Sequence, residues 1–318
     1  MARQARPDPY ARLAHPAGRP FLFHTGDITS PRQGASPLVS LRYFAPDARL
    51  GGLISSYYLF ESDAQMTTDV LRAELAQARF VTSGAARLRF ADGGIEPCPD
   101  AMLIGATSSA MVFEGDGPFA LAGAGLMPVG WAALIGCDAD EVADTVLPFA
   151  DLAGAVVTRT LDRLKAAGSG EGAAAALDAL FLTLAERARL APLWFTRATD
   201  AWLTASPNPL VDDLVGAVDV SARQVERLSK RIYGASPKLL ARKYRALQAA
   251  VRLSTGEATD WSEAAGDSFY DQSHFIREFR QFVGLTPTRF AAESAGVMRL
   301  TLEGRRRLPG IPKLALLS

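Results

Sequence analysis

Two segments of this chain repeat one pattern at a distance of fifty residues. Residues 221–237 read SARQVERLSKRIYGASP, and residues 271–287 read DQSHFIREFRQFVGLTP. Each copy begins with a residue that caps a helix, continues with apolar side chains at helical spacing, and ends in Gly-x-Ser/Thr-Pro. Glycine suits the left-handed position that ends a helix, and proline suits the first turn of the next one. The repeat therefore predicts two copies of a helix that is followed at once by another helix.

One side of each predicted helix is apolar and the other is polar. The apolar side carries Val225, Leu228 and Ile232 in the first copy and Phe275, Phe279 and Phe282 in the second. Ser221 and Gln224 form a Ser-x-x-Gln capping box. A short helix is predicted before each copy, at residues 210–218 and 261–267, and a longer helix at 237–253 joins the two. Helix, short turn, helix is the layout of the helix-turn-helix motif.

The segment from about Pro209 to Ala292 resembles the DNA-binding domain of AraC-type transcription regulators. The resemblance is strongest in the second copy, where residues 269–279 read FYDQSHFIREF and residues 284–290 read GLTPTRF. Residues 220–227, VSARQVER, match the first unit of that family. Ser268 stands where the family usually has glycine, which predicts a mildly strained turn. Ser229 stands where it usually has an aromatic residue, which thins the core of the first unit.

The resemblance implies an α+β chain. Its N-terminal domain would be β-rich, cupin-like and a sensor, and a helical linker would follow. Its C-terminal domain would be all-α, with two helix-turn-helix units joined by a long helix. The second helix of each unit would enter the major groove of DNA. The side chains predicted to contact DNA are Arg223, Gln224, Arg227, Lys230, Gln272, Ser273, His274, Arg277 and Arg280.

The predicted DNA contacts are of two kinds, with base edges and with phosphates. Arginine suits guanine and glutamine suits adenine, which favours base contacts for Arg223, Arg227, Gln272, Ser273 and Arg277. Phosphate contacts, or no contact, are expected for Lys230, Lys238, Arg280 and Arg289. Glu226 either accepts from a cytosine or orients Arg223. His274 is expected to be structural or to face a phosphate, because neither a nucleophile nor an orienting carboxylate stands beside it to make it a catalytic base.

The chain before these units changes from strands to helices. Strands are predicted at residues 38–44, 53–60, 80–90, 101–113 and 119–126, with turns at 91–94 and 114–118. Short strands separated by turns are typical of a barrel or sandwich. Helices are predicted at 142–147, after a capping pair of Asp138 and Glu141, and at 151–167 and 192–204. Between the last two, Leu177, Leu180, Phe181 and Leu184 lie on one helix face, which is either core or a dimer seam.

The predicted domains are a flexible segment (1–20), a β-rich sensor-like domain (21–150), a helical linker and dimerisation segment (151–206), the DNA-binding domain (207–294) and a basic tail (295–318). Arg305, Arg306 and Arg307 in that tail are interpreted as solvated or as phosphate contacts. Residues 1–206 hold 17 Lys/Arg and 22 Asp/Glu, a balance of −5, whereas residues 207–318 hold 17 and 12, a balance of +5. The basic end favours an anionic partner.

Composition excludes several other classes. No apolar run reaches the roughly 18–20 residues that span a bilayer, and residues 1–20 lack the apolar core of a secretory signal. Two cysteines, Cys98 and Cys137, and three scattered histidines favour neither a disulfide framework nor a zinc site. The cysteines are interpreted as small hydrophobic residues, with redox sensing as the alternative. We therefore expect neither a metal nor a cofactor.

The resemblance thus implies a bacterial, cytoplasmic, effector-responsive transcription regulator of the AraC type, not an enzyme, that acts as an activator or a repressor. Its expected partners are double-stranded DNA through the major groove, RNA polymerase, a small-molecule effector and a second copy of the chain, but no membrane. Two alternatives remain. One is a DNA-targeted enzyme with a reactive cysteine, such as an alkyl transferase, although Cys98 lies in Pro-Cys-Pro without histidine or arginine beside it. The other is a constitutive DNA-binding protein whose N-terminal domain only dimerises.

Overall fold

The computed structural model describes residues 39–167, 170–269, 271–292 and 297–318, so the predicted segment 1–20 lies outside the described residues. Its first part is an antiparallel sheet of β1 (Val39–Phe44), β2 (Ile54–Ser62), β3 (Met66–Leu71), β4 (Gln77–Arg89), β5 (Ile95–Pro97), β6 (Ala101–Ile104), β7 (Met111–Leu126) and β8 (Val146–Pro148). The strand order is β1-β2-β7-β4-β6-β8, with β3 paired to β7 and β5 to β4. We call strands β1–β8 the sheet domain. A β-rich first part followed by helices confirms the predicted α+β class.

The long strand β7 organises the sheet. Its first half pairs with β3 and its second half with β2, while β4 pairs along both. The turn predicted at residues 114–118 is wrong, because the strand continues through it. Gly117 takes a positive φ of 71°, and the register of β4 shifts around Ser83. The glycines there mark an irregularity within the ladder rather than a chain reversal.

Other strand predictions also needed correction. The single strand expected at 101–113 is two strands, β6 and the start of β7, because residues 105–110 form a loop between them. The helix expected at 142–147 is wrong. Asp138 pairs with Arg231 instead of capping a helix, and Asp144 takes a positive φ of 57° that breaks helical geometry. The following residues form β8, which pairs with β6 and so completes that side of the sheet.

Helices follow β7 and β8 along the chain. They are α1 (Pro128–Gly130), a π-helical turn (Trp131–Ile135), α2 (Phe149–Ala153), α3 (Ala155–Ala166), α4 (Gly170–Ala185) and α5 (Leu193–Ala205). The helix predicted at 151–167 is divided into α2 and α3 by Gly154, whose φ is +74°. The helix predicted at 192–204 is confirmed as α5. None of the helices in the described part of the chain has the length and apolar composition needed to cross a bilayer.

The apolar stripe on α4 is part of the core. Leu177, Leu180 and Phe181 are fully buried, and Leu184 packs against the same cluster. Phe181 stacks on Tyr57 of β2 with 6.1 Å between ring centroids. The core interpretation is therefore confirmed and the dimer seam is wrong, because the sheet domain already covers these side chains.

Two helix-turn-helix units and a bridging helix form the C-terminal part. The elements are α6 (Val211–Ala217), α7 (Ala222–Tyr233), α8 (Pro237–Thr255), α9 (Trp261–Ala265), α10 (Gln272–Val283) and α11 (Pro287–Ala292). The first unit is α6 and α7, the second is α9 and α10, and α8 joins them. Tyr244 and Leu247 of α8 share one buried cluster with Val225 of α7 and Phe275 of α10. Apolar burial is thus the force that fixes both units on α8.

The helix α5 packs into this same cluster. Phe195, Trp202 and Leu203 are buried there, and the indole of Trp202 donates to the carbonyl of Leu210 at 2.7 Å. Tyr233, at the end of α7, donates to the carboxylate of Asp200 at 2.6 Å. The last helix before the first unit is therefore bound tightly to the C-terminal helices.

The segment after the second unit is not the solvated tail that its composition predicts. It forms α12 (Val297–Arg306) and α13 (Lys313–Leu317). Arg305 is buried, lies over the ring of Tyr43 and donates to the carbonyl of Ala315 at 3.0 Å. Arg306 and Arg307 are exposed. The basic cluster therefore contains one structural arginine and two surface arginines, because a guanidinium can bury its charge when carbonyls and a ring receive it.

Candidate DNA-binding surface

The second helix of the first unit, α7, begins and ends as the repeat predicts. Ser221 Oγ accepts from the Gln224 amide at 3.4 Å, and Gln224 Oε1 accepts from the Ser221 amide at 3.0 Å, which completes the capping box. Gly234 ends the helix with a φ of 75°. Val225 and Ile232 point into the core. This cap and these two anchors fix the direction in which the polar side of α7 faces.

The polar side of α7 is exposed. Arg223, Arg227 and Lys230 all face solvent. Glu226 pairs with Lys230 at 3.1 Å, and its contact with a base or with Arg223 stays a prediction. Gln224 uses its carbonyl oxygen in the capping box, so only its amide nitrogen remains to donate to DNA.

The second helix of the second unit, α10, repeats this arrangement. Asp271 Oδ1 accepts from the His274 amide at 2.8 Å, and Gly284 ends the helix with a φ of 86°. Phe275, Phe279 and Phe282 are fully buried. The exposed residues of this helix are Gln272, Ser273 and Arg277, and Arg280 is partly buried. Arg277 therefore occupies on α10 the position that Arg227 occupies on α7. We call α7 and α10 the recognition helices.

The two serines that depart from the family pattern behave differently. Ser229 is fully buried, and its hydroxyl has no hydrogen-bond partner among the described residues. That fits the expected thinner core of the first unit. The turn before α10 is not strained at Ser268, because Gly266 takes the positive φ of 48° there. The predicted strain at Ser268 is therefore wrong.

A buried carboxylate holds α10 on the bridging helix. Glu278 has 1% of its side chain exposed and accepts from Arg242 Nε at 2.6 Å and from Arg245 Nη2 at 2.7 Å. Burial raises the pKa of Glu278, but the hydrogen bonds and charges of the two arginines outweigh it and lower the pKa below its ordinary value. His274 Nε2 lies 3.1 Å from the same carboxylate, and the ring packs edge-on against Phe269. These contacts support the structural role of His274.

This ion-pair network was missed from the sequence, although a signal was present. Glu278 lies three residues after Phe275 and four before Phe282, and therefore on the apolar side of α10. A carboxylate on such a face needs a buried cation. Arg242 and Arg245, one turn apart on the bridging helix, supply it.

The sheet domain contacts the end of the second recognition helix. The amide of Ala73 donates to the carbonyl of Phe282 at 2.7 Å, and the amide of Ala110 donates to the carbonyl of Gln281 at 2.8 Å. Gly284 packs so closely on Val70 that a Cβ at this glycine would overlap the valine side chain. The last turn of α10 is thus tied to loops at the edge of the sheet.

The sheet domain also contacts the first recognition helix and the bridging helix. The amide of Ala139 donates to the carbonyl of Arg231 at 2.8 Å. Lys243 of α8 is buried and donates to the carbonyls of Glu74 at 2.7 Å and Thr107 at 2.9 Å. Burial lowers the pKa of Lys243 to about 8, because the charged form loses solvation there. Loops that adjoin the sheet therefore contact both units and the helix between them.

A small cavity with mostly apolar walls lies between the sheet domain and α12. Its volume is about 50 Å³, well below the roughly 300–1,000 Å³ of pockets that hold drug-sized ligands. The lining residues are Leu41, Tyr43, Tyr58, Phe60, Asp69, Leu71, Glu74, Arg79, Phe113, Leu121, Thr301 and Arg305. Arg79 is buried there, pairs with Glu74 at 2.9 Å and donates to the hydroxyl of Tyr58 at 2.8 Å. We call it the sheet cavity.

Neither cysteine has the setting of a reactive thiol. Burial raises the pKa of Cys98 to about 11, although the charge of Arg79 acts in the opposite direction. Burial also raises the pKa of Cys137. Raised pKa values keep both thiols protonated and weakly nucleophilic at neutral pH. Within the described ranges, no three His, Cys, Asp or Glu side chains come close enough to hold a metal ion.

Comparisons with known proteins found one family model that matches the C-terminal part of the chain and solved structures that resemble most of the chain. A family model described as "Helix-turn-helix domain" matches residues 214–293, from within α6 to just past α11. Among solved structures, the chain is similar to ToxT from Vibrio cholerae O395, with 12% identity, a TM-score of 0.43, and coverage of 73% of this chain and 99% of that one. The structure of unsaturated fatty acid bound ToxT from strain SCE256 gives 10% identity, a TM-score of 0.44, and coverage of 82% and 97%. Curated proteins gave no match.

The match over residues 214–293 coincides with the two units and the bridging helix. This part of the chain is a helix-turn-helix domain of the AraC type. The protein is accordingly a DNA-binding transcription regulator.

Proposed function

We propose that the protein reads two successive segments of the major groove, one with each recognition helix. The observation that carries the proposal is the equivalent, exposed placement of Arg227 and Arg277 on helices whose opposite sides are anchored in one core. Units of this kind contact base edges with the N-terminal part of the second helix, and adjacent segments lie about 34 Å apart, one turn of DNA. The bridging helix α8 sets that spacing.

In this proposal the exposed side chains near the start of each recognition helix contact bases. They are Arg223, Arg227, Gln272, Ser273 and Arg277. The side-chain amide nitrogen of Gln224 is a further donor to DNA. Residues farther along the helices and at the start of the next ones face phosphates, namely Lys230, Lys238, Arg280 and Arg289. His274 orients Glu278 and lies at the edge of this surface.

Selection of bound fragments from sheared genomic DNA by the full-length protein tests the DNA-binding part. We expect enrichment of fragments that share one motif with two parts about ten base pairs apart, because the proposal assigns the two recognition helices to segments one turn of DNA apart. Retention of fragments without a shared motif would show that the charge of this surface binds DNA without reading it.

The sheet cavity is the proposed effector site. Its walls are mostly apolar, and Asp69, Glu74, Arg79 and Arg305 place charges around them, which favours a small amphipathic molecule. The solved ToxT structures include one with bound unsaturated fatty acid. An effector in the cavity would act by shifting how the sheet domain holds α7, α8 and α10, and hence the affinity for DNA.

Filling the cavity tests this effector site. Leu41 lies on β1 with its side chain in the cavity, whereas Arg42, the next residue, points to the opposite, exposed face. A ligand found by thermal shift among amphipathic carboxylates and amines is expected to stabilise the wild type by about 2.7 kcal/mol at a hundred times its Kd, and to change operator affinity. Both effects should be lost in Leu41→Trp and kept in Arg42→Trp. A ligand whose effects survive Leu41→Trp binds elsewhere.

The remaining expectations stay part of the proposal. The AraC type implies a regulator that acts in the bacterial cytoplasm, touches RNA polymerase and pairs with a second copy, without catalytic activity. The buried stripe on α4 leaves that pairing without an assigned surface. The raised pKa values of Cys98 and Cys137 argue against the alternative of a DNA-targeted enzyme with a reactive cysteine.

A further inference from the structure

The chain after the second unit returns across the molecule and contacts both of its parts. The helix α12 packs on β1 and β3 of the sheet domain, and α13 packs on α5 and α8. We call residues 297–318 the C-terminal strap. Because α8 carries both helix-turn-helix units, the strap joins the sheet domain to the helix that sets their spacing.

The first half of the strap closes the sheet cavity. Thr301 and Arg305 form part of its lining, and Leu300 is buried in the apolar cluster of the sheet domain. Gly304 lies flat against the ring of Tyr43, so that a Cβ at this position would overlap the ring. A molecule in the cavity therefore touches the strap as well as the sheet.

The second half of the strap is anchored between the two parts of the protein. The backbone oxygen of Ser318 accepts from Arg72 of the sheet domain and from Arg305, and the Ser318 hydroxyl lies 2.8 Å from the Tyr244 hydroxyl of α8. Leu314 is buried in the cluster that fixes both units on α8. Arg72, Arg305 and Ser318 are all at least 97% buried, so these contacts are sheltered from water.

We propose that the C-terminal strap is an autoinhibitory restraint. Docked, it locks the sheet domain onto α8 and adds to the contacts that hold the ends of both recognition helices, so the two units cannot adjust to successive grooves. Undocked, it removes this lock, so the direct contacts of the sheet domain with α7, α8 and α10 hold the units less firmly and DNA affinity rises. A ligand in the sheet cavity acts through the strap, because Thr301 and Arg305 are part of its site. The inference rests on the proposed function for its DNA-binding readout.

The substitution Gly304→Val in the full-length protein tests the restraint. A valine side chain cannot fit against Tyr43, so α12 should lift from the sheet. We expect faster amide hydrogen exchange in α12 and α13, and operator affinity raised about 5- to 150-fold, the range of typical coupling between sites. Arg306→Lys, which keeps the charge on the exposed side of the same helix, is the control and should change neither.

A second substitution separates a steric effect from a folding defect. Tyr43→Ala removes the ring that a side chain at residue 304 would meet, so Gly304→Val combined with Tyr43→Ala should recover slow exchange and wild-type affinity. Faster exchange in the strap of Gly304→Val with unchanged operator affinity would overturn the regulatory role and leave the proposed function intact. Absence of specific binding in every variant, the wild type included, would overturn the proposed function itself.

Discussion

The double variant Arg227→Ala/Arg277→Ala is expected to bind the operator about 2–6 kcal/mol more weakly than the wild type. Each arginine is assigned a base contact worth about 1–3 kcal/mol. The two lie on different recognition helices and share no partner, so their losses should add. Folding should hardly change, because each is exposed, and such substitutions typically move stability by less than about 0.5 kcal/mol. Competition binding against operators altered at single positions measures both the loss and the relaxed preference.

Two single variants serve as controls. Arg163→Ala, on the exposed surface of α3, should bind as the wild type does. Arg280→Ala, assigned to a phosphate, should weaken all sequences alike and reduce the slope of log affinity against log salt by about 0.9. If the double variant binds the operator like Arg163→Ala, the recognition faces are assigned wrongly, even though the fold is that of two helix-turn-helix units.

Glu278→Ala is expected to lower the free energy of unfolding by about 3 kcal/mol, the low end for breaking a buried ion pair. The low end applies because Arg242 and Arg245 remain partly exposed and recover some hydration when they lose their partner. Glu226→Ala removes an exposed pair on the other recognition helix and should cost only about 0.3–0.5 kcal/mol. Urea unfolding followed by circular dichroism measures both. Equal midpoints for the two variants would contradict the structural role of Glu278.

The same carboxylate makes stability depend on pH. Its pKa is lowered in the folded protein, so its stabilisation is complete above the ordinary carboxyl pKa of 4.5 and is lost as the pH falls through the lower, folded value. The difference in stability between wild type and Glu278→Ala should therefore be largest near neutral pH and shrink below about pH 4.

The DNA-binding part could be predicted from the sequence because its signals are local. The cap at Ser221, the stop at Gly234 and the apolar spacing of Phe275 and Phe279 each depend on residues within two turns. Their repetition at a fixed offset then separated the helix-turn-helix layout from a chance pattern. The outward positions of Arg227 and Arg277 followed from the same periodicity.

What the sequence did not show depends on residues far apart in the chain. Asp138 forms an ion pair with Arg231 instead of capping a helix. Arg305 is buried because it lies over the ring of Tyr43 and donates to the carbonyl of Ala315. β8 pairs with the free edge of β6, and β3 is a short strand with three polar residues among its six that pairs with β7. Such pairings leave no periodic mark, so composition suggested a helix at 142–147 and a solvated tail after the second unit.

Hydroxyl-radical footprinting of the full-length protein on a selected operator is the most direct test of the proposal that each recognition helix contacts its own segment of the major groove. We expect two protected segments on one face of the DNA, about ten base pairs apart. Arg227→Ala should weaken protection of one segment and Arg277→Ala that of the other. A single protected segment, or loss of the same segment in both variants, would contradict the account.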